Sequence, residues 1–260
     1  GVLNDDGGVF VASRFPILSS AQMVYDDCNG TDCLAAKGVM YVKINKLGRY
    51  YHLFGTHTQA WNSSADVATR ILQFKELYQF IQSQNIPSNE AVLVGGDLNV
   101  DKILNNLGEY DGLLDSLQLK EPLYTGHPYT YDGDISYYAS PGYEFLDYVM
   151  ASNEYLVPDS SSNRVIILRS IANNLFNTFD LSDHLAVQGR FVYAPIVSKQ
   201  ADLKVPEYQF ILYPNPSNGV FQLDVGTSLQ LVYRVYSPLG HLVLEGQSEE
   251  GNMLQFDLRG

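Results

Sequence analysis

Between residues 66 and 82 the apolar residues Val67, Ile71, Phe74, Tyr78 and Ile81 recur at steps of three and four. That spacing lines one face of an α-helix, with Ser63 placed to cap its start and Pro87 just beyond its end. Residues 39–44 and 49–55 flank Asn45-Lys46-Leu47-Gly48 and read as a hairpin. Residues 91–94 form a continuous apolar run ending in Gly95-Gly96, the pattern of a strand covered on both faces. Residues 9–12, 143–150 and 185–193 read as further strands. Strands and helix mixed in this way predict a layered α/β body.

The texture changes after residue 194. Residues 195–207 hold two prolines, mixed polarity and no periodicity, which is how a linker reads. From 208 to 260 short alternating stretches at 210–213, 220–225, 229–236 and 241–244 are separated by turns such as Pro214-Asn215-Pro216-Ser217-Asn218-Gly219. They predict a small C-terminal β-sandwich behind a body spanning residues 1–194. The chain carries no internal repeat, low-complexity tract or charge block.

Composition narrows the partners. With 45% hydrophobic and 17% charged residues, disorder is a poor fit, and no apolar run approaches the roughly 18–20 residues of a membrane span. Twenty-nine acidic against 16 basic residues give a net charge of −13, which repels phosphate backbones and argues against a nucleic-acid partner. Nineteen tyrosines with few lysines suggest an exported protein. Cys28 and Cys33 flank Asn29-Gly30-Thr31-Asp32, a turn-forming stretch that lets them close a short disulfide loop. A zinc site, the alternative, lacks a second Cys or His pair.

Chemistry gathers at strand ends. Gly95-Gly96-Asp97-Leu98-Asn99 ends the buried run, and residues i and i+2 of a strand share a face, so Asp97 and Asn99 are expected to meet one substrate. A carboxylate beside an amide suits a phosphate: one binds a hard cation or orients water, the other donates hydrogen bonds. Ser182-Asp183-His184 offers a proton acceptor beside a candidate metal ligand. Gly55-Thr56-His57-Thr58 delivers His57 at the end of the second hairpin strand, whereas His52 reads as structural. Asp147, among aromatic and aliphatic neighbours, needs a partner that a histidine would supply. Taken singly, a turn at 95–99 and a surface histidine at 184 remain competing readings.

In the order His, Asp-x-Asn, Asp and Asp-His, these strand ends resemble the endonuclease/exonuclease/phosphatase superfamily of metal-dependent phosphodiesterases. Within it the chain looks like the bacterial neutral sphingomyelinases, secreted phospholipase C enzymes. The resemblance rests on Gly7-Gly8-Val9 leading to Ser13-Arg14-Phe15-Pro16-Ile17, Lys37-Gly38, Gly55-Thr56-His57-Thr58-Gln59-Ala60, Gly95-Gly96-Asp97-Leu98-Asn99-Val100, Tyr124-Thr125-Gly126-His127, the segment from Tyr143 to Tyr148, and Ser182-Asp183-His184. It implies a DNase I-like four-layer sandwich, two mixed β-sheets flanked by helices. It implies sphingomyelin at a membrane surface as substrate, with ceramide and phosphocholine as products. His184 would be the general base and Asp147 would orient it, while His57 would stabilise charge on phosphoryl oxygens. Asp97, Asn99, Asp183 and His184 would surround a divalent cation, Mg²⁺ or else Mn²⁺ or Co²⁺. His127 and Tyr129 would shape a head-group pocket, and a monomer is expected.

Two departures from the family bear on activity. Its first strand and helix, which contribute an Asn and a metal-binding Glu, match nothing in this chain, so a family member would carry them upstream of Gly1. Its membrane-inserting aromatic hairpin corresponds to the shorter segment 171–181, where Leu175 and Phe176, with Phe179, would make membrane contact. The tail resembles a different family. Tyr213-Pro214-Asn215-Pro216, Gly219 and Val235-Tyr236-Ser237-Pro238-Leu239-Gly240 look like the C-terminal sorting domain of type IX secretion substrates, short of its final strand. That implies passage through secretion machinery to the medium or the outer cell surface. A nuclease or phosphoinositide phosphatase on the same scaffold, and a surface-binding protein without catalysis, are the alternatives.

Overall fold

A computed structural model describes residues 5–105, 108–171, 178–195, 211–213, 220–224, 232–236, 242–247 and 253–257. The chain forms two compact units, Gly1–Ile196 and Val197–Gly260.

The first unit is built on a six-stranded mixed sheet ordered Ile17–Val24, Gly38–Lys46, Arg49–His57, Ala91–Asp97, Asp147–Ser152 and Leu119–Lys120. Arg49–His57 and Ala91–Asp97 run parallel, and the other neighbours are antiparallel. The hairpin turns over Leu47 and Gly48, both at positive φ (53° and 87°), the two-residue turn that matches strand twist. Helix α1 (Ser64–Ser83) is capped by Ser63, whose side chain accepts from the Asp66 amide while Asp66 reaches back, a reciprocal capping box. Of the predicted apolar stripe Phe74 and Ile81 are buried and Val67 and Tyr78 half-buried, but Ile71 is exposed, and Arg70, Gln73 and Leu77 are buried beside them. Polar carbonyls and a carboxylate face the first turns of the helix, so long polar side chains are needed there. Phe74, Leu77 and Ile81 join Phe54, Val92, Val94, Tyr148 and Met150 in one core with Leu113 of helix α2 (Glu109–Ser116).

A second sheet, ordered Ala186–Val192, Ser160–Ile166 and Leu123–Gly126, packs on the first through Asn163. Fully buried, Asn163 donates to the carbonyl of Val149 at 2.7 Å and accepts its amide at 2.8 Å, a backbone-like pairing across the sheets. Among the described residues the α-helices are α1 and α2, which touch each other. The expected fourth layer, helix over the second sheet, is therefore not seen; the exposed positions of that sheet include Arg164, Gln188 and Arg190, a polar face that needs no cover.

Three local expectations change. Residues 9–12 form no strand, and Val9 and Val11 lie over Gly55 instead. Ile17–Val24, an edge strand with a weak apolar pattern, was not expected as one. Residues 143–150 split into Tyr143–Glu144 and Asp147–Ser152, because side chains satisfy the backbone between them: Asp101 accepts from Phe145 at 3.1 Å, and Thr130 from Leu146 and Asp147 at 2.8 and 3.1 Å.

Gly96 sits at φ 140°, and a Cβ there would fall 1.9 Å from the Thr56 carbonyl. Gly96→Ala is expected to cost about 3 kcal/mol or more of stability, as a shifted midpoint in urea unfolding, since backbone rather than a flexible side chain must give way. A cost under about 1 kcal/mol would show that the strands separate freely.

In the second unit Ile211–Tyr213, Val220–Asp224 and Met253–Asp257 form one antiparallel sheet, and Val232–Tyr236 with Leu242–Gln247 a second. Tyr233 of the second meets Phe256 of the first edge-on at 5.0 Å. Met253–Asp257 is a strand the alternation did not reveal.

Candidate active site

Sheet register assembles the site. His57 pairs with Asp97 across the parallel strands, and Asp97 with Asp147 across the antiparallel ones, so three chemical groups lie in a row at one sheet end. A bridge between Tyr131 and His184, and the Leu185 amide donating to Thr130 at 2.7 Å, bring His184 to the same end. Nδ1 of His184 lies 2.7 Å from Oδ2 of Asp147. With the carboxylate ionised, the neutral form of the ring carries its proton on Nδ1 and presents a lone pair at Nε2. The Nε2 atoms of His57 and His184 face one oxygen of Asp97 at 3.5 and 3.9 Å.

The predicted alternation for Asn99 does not hold. Asn99 lies beyond the strand at φ 49°, where its amide nitrogen donates to the Thr58 carbonyl at 3.0 Å and its backbone N–H to Asp97 at 2.9 Å. The turn nonetheless brings Asn99 into the same cleft. That cleft, about 830 Å³, is lined by His57, Asp97, Asn99, Asp183 and His184.

Electrostatics separates the groups. Burial and the nearby Lys37 charge lower the His57 pKa to about 4. Burial also acts to lower that of His184, but the Asp147 hydrogen bond and the charges of Asp147, Asp97 and Asp183 outweigh it and raise the pKa to about 9. Asp97 is raised to about 7, by burial first and by Asp147 second. Asp97, Asp147 and His184 bring ligand atoms within 4.8 Å of one another, a group that could hold a metal ion. Its oxygen-rich character, and a carboxyl raised for want of compensating charge, fit a hard divalent cation. Protons and cation then compete. Titrating Mg²⁺ into the chain at pH 6 should release about one proton, read by calorimetry in buffers of different ionisation enthalpy, and affinity should fall as the pH drops below about 7. Binding without proton release would count against this site.

Several cleft residues escaped the sequence reading. Asp32, inside the Cys28–Cys33 disulfide loop, accepts from Lys37 Nζ at 2.7 Å and from the Ala60 amide at 2.6 Å. Buried Lys37 also donates to the Thr58 carbonyl at 2.8 Å. Gln59 is fully buried and bonds both ways to the backbone of Asn29, tying that loop to the His57 strand. Lys37-Gly38 and Gln59-Ala60 were visible as motifs, but their burial was not. Trp61, Asn62, Tyr131, Tyr138 and Glu144 also line the cleft.

His127 and Tyr129, expected at the head group, are not among the cleft-lining residues. His127 is committed to buried Asp132 at 2.8 Å and lines a separate cavity of about 270 Å³, and Tyr129 stacks on Tyr143. Leu175 and Phe176 lie outside the described residues, while Phe179 and Leu181 nearby are exposed. No described helix is long and apolar enough to cross a membrane.

A strand-end row of His, Asp and Asp, with a second histidine oriented by the last of them, can orient and deprotonate a water beside a bound cation. A family model described as Endonuclease/Exonuclease/phosphatase family matches residues 2–184. The chain belongs to this family. Among curated members, sphingomyelinase C of Bacillus cereus is 39% identical over 174 residues, 62% of this chain and 52% of that protein. Sphingomyelinase C 2 of Leptospira interrogans is 33% identical over 228 residues, 83% of this chain and 36% of that protein. The chain thus spans about half the length of the Bacillus relative and less of the Leptospira one. A crystal structure of mutant beta toxin from Staphylococcus aureus with bound magnesium ions superposes with a TM-score of 0.65 at 33% identity, covering 72% of this chain and 68% of the toxin chain. This member of the endonuclease/exonuclease/phosphatase family therefore has the mixed-sheet α/β fold of its sphingomyelinase neighbours.

Proposed function

We propose that this protein is a metal-dependent sphingomyelin phosphodiesterase of the phospholipase C type, releasing ceramide and phosphocholine. The observation that carries this reading is His184, held through Nδ1 by Asp147 and facing Asp97 and His57 in one cleft. Similarity to sphingomyelinase C proteins supports the choice of substrate.

A cation held beside Asp97 and Asp183 would offset the negative charges that raise the His184 pKa and favour its neutral form. In that form His184 accepts a proton from water at Nε2 as the water oxygen bonds to phosphorus in line with the ceramide oxygen. The bond from phosphorus to that oxygen breaks, and the ceramide oxygen takes up a proton. Asp147 fixes the ring and its tautomer, and His57 donates to a phosphoryl oxygen as negative charge grows there. Asp97, Asn99 and Asp183 are the oxygen donors that would hold Mg²⁺, with Mn²⁺ or Co²⁺ as substitutes. The cation supplies Lewis-acid stabilisation of the phosphoryl oxygens. With Nδ1 committed to Asp147 and Nε2 needed for the proton, His184 serves as base rather than as a lasting ligand.

Residues 208–260 are the sorting domain of a type IX secretion substrate, a small β-sandwich whose two sheets meet through Tyr233 and Phe256. The protein is then a monomer in the medium or on the outer cell surface. Phosphocholine release from sphingomyelin vesicles, with Mg²⁺ and with chelator, beside a plasmid-nicking control, tests the enzymatic reading. Chelator-sensitive release without nicking is expected; nicking without release would make the protein a nuclease, and silence on both, repeated with a chain extended upstream of Gly1, would leave a binding protein.

A further inference from the structure

The cleft mixes basic, acidic and aromatic groups. Lys37 pairs with Asp32, and His57 shares the lining with them. Trp61, Tyr138, Tyr131 and Glu144 also line it, so aromatic rings and a carboxylate share one cleft. Trp61 is the single tryptophan of the chain and is 69% exposed. Exposure of so large a ring is not looseness here. Its backbone holds φ 71°, a left-handed conformation uncommon for a bulky residue, and buried Arg70 donates to its carbonyl and to the Asn62 side chain. Asn62 in turn donates to Oε1 of Glu144 at 3.4 Å. Among the described residues Glu144 forms no ion pair, so an anionic group shares the cleft lining with the Trp61 ring and is linked to its segment through Asn62.

We propose that Trp61 and Glu144, flanked by Tyr138, form a subsite for a quaternary ammonium group and make this protein select choline over ethanolamine head groups. A methylated ammonium cannot donate hydrogen bonds and is recognised by π faces and diffuse negative charge, whereas a primary ammonium is better served by water or a direct hydrogen bond. Arg70 acts at one remove, as a positioning residue for the loop that carries Trp61.

This inference rests on the proposed phosphodiesterase, and the tests separate the two. Because Trp61 is the sole tryptophan, emission excited at the red edge of its absorption reports this subsite directly, without turnover. Phosphocholine and tetramethylammonium should change it saturably, phosphoethanolamine only weakly and inorganic phosphate not at all; Glu144→Gln should weaken the phosphocholine response. In kinetics on sphingomyelin and ceramide phosphoethanolamine, Trp61→Ala should lower selectivity for the choline lipid about tenfold, through KM rather than kcat, and Trp61→Phe should restore most of it. Equal responses to phosphocholine and phosphoethanolamine, no response to either, or Trp61→Ala with native selectivity would each overturn the subsite. A fluorescence response without sphingomyelin hydrolysis would sink the enzyme and leave the subsite standing; hydrolysis with native selectivity in Trp61→Ala would do the opposite.

Discussion

His184→Ala should lower kcat for sphingomyelin by about 10²–10⁴-fold while unfolding stability moves by about 1 kcal/mol or less. The ring is partly exposed and enters from the segment before Ala186–Val192, so its removal opens no core cavity. Its loss takes away the only base oriented by a carboxylate in the cleft, because His57, at a pKa of about 4, is neutral but has Asp97 at 3.5 Å rather than a close carboxylate at Nδ1. Asp147→Asn should fall between wild type and His184→Ala, since the imidazole stays while its orientation and tautomer are no longer enforced. Steady-state kinetics with saturating Mg²⁺ and a denaturation curve on each variant decide the matter. A His184→Ala enzyme at full rate would remove the general base from the mechanism.

Arg70→Met should destabilise the first unit by about 3–5 kcal/mol, comparable with the whole stability of a marginal domain. Arg70 is fully buried, forks onto Glu109 of α2 at 2.6 and 3.1 Å, and donates to the carbonyls of Gln59, at 2.9 Å, and Trp61. Removing it strands a nearly buried carboxylate and two carbonyls at once. Replacing the pair together, as Arg70→Met with Glu109→Leu, should recover much of the folding energy, because no charge is then left unpaired. The double variant should still bind phosphocholine poorly, since the loop bearing Trp61 has lost its anchor. Urea unfolding of both variants, followed by phosphocholine titration of the double one, provides the check; a single variant costing less than about 1 kcal/mol would mean that water reaches Glu109.

Arg70 also marks the limit of what periodicity reveals. It lies within the segment read as a helix but outside the apolar stripe, and it is fully buried, whereas Ile71 belongs to that stripe and is exposed. Burial follows from what faces the helix, here the carbonyls of residues 59–61 and a carboxylate from α2, and no local window contains those partners. Trp61 and Glu144 went unnoticed for a related reason: each is unremarkable in its own segment, and only the Asn62 side chain shows that the segments meet. His127 erred the other way. Its motif was conspicuous, but Asp132, five residues on, satisfies it outside the cleft.

Local sequence alone determined the α1 helix with its Ser63 cap, the hairpin about Leu47-Gly48, the buried run ending at Gly96, and the strand-end delivery of His57 and Asp97. Each depends on interactions within a few residues: steric preference, a capping hydrogen bond, or alternation of apolar and polar side chains. Tertiary structure alone decided which strands became neighbours, hence that His57, Asp97 and Asp147 share one row and that His184 reaches Asp147. Those pairings join positions 37 to 50 residues apart. Their geometry is set by sheet order and register, which depend on packing of the whole core rather than on any segment of the chain.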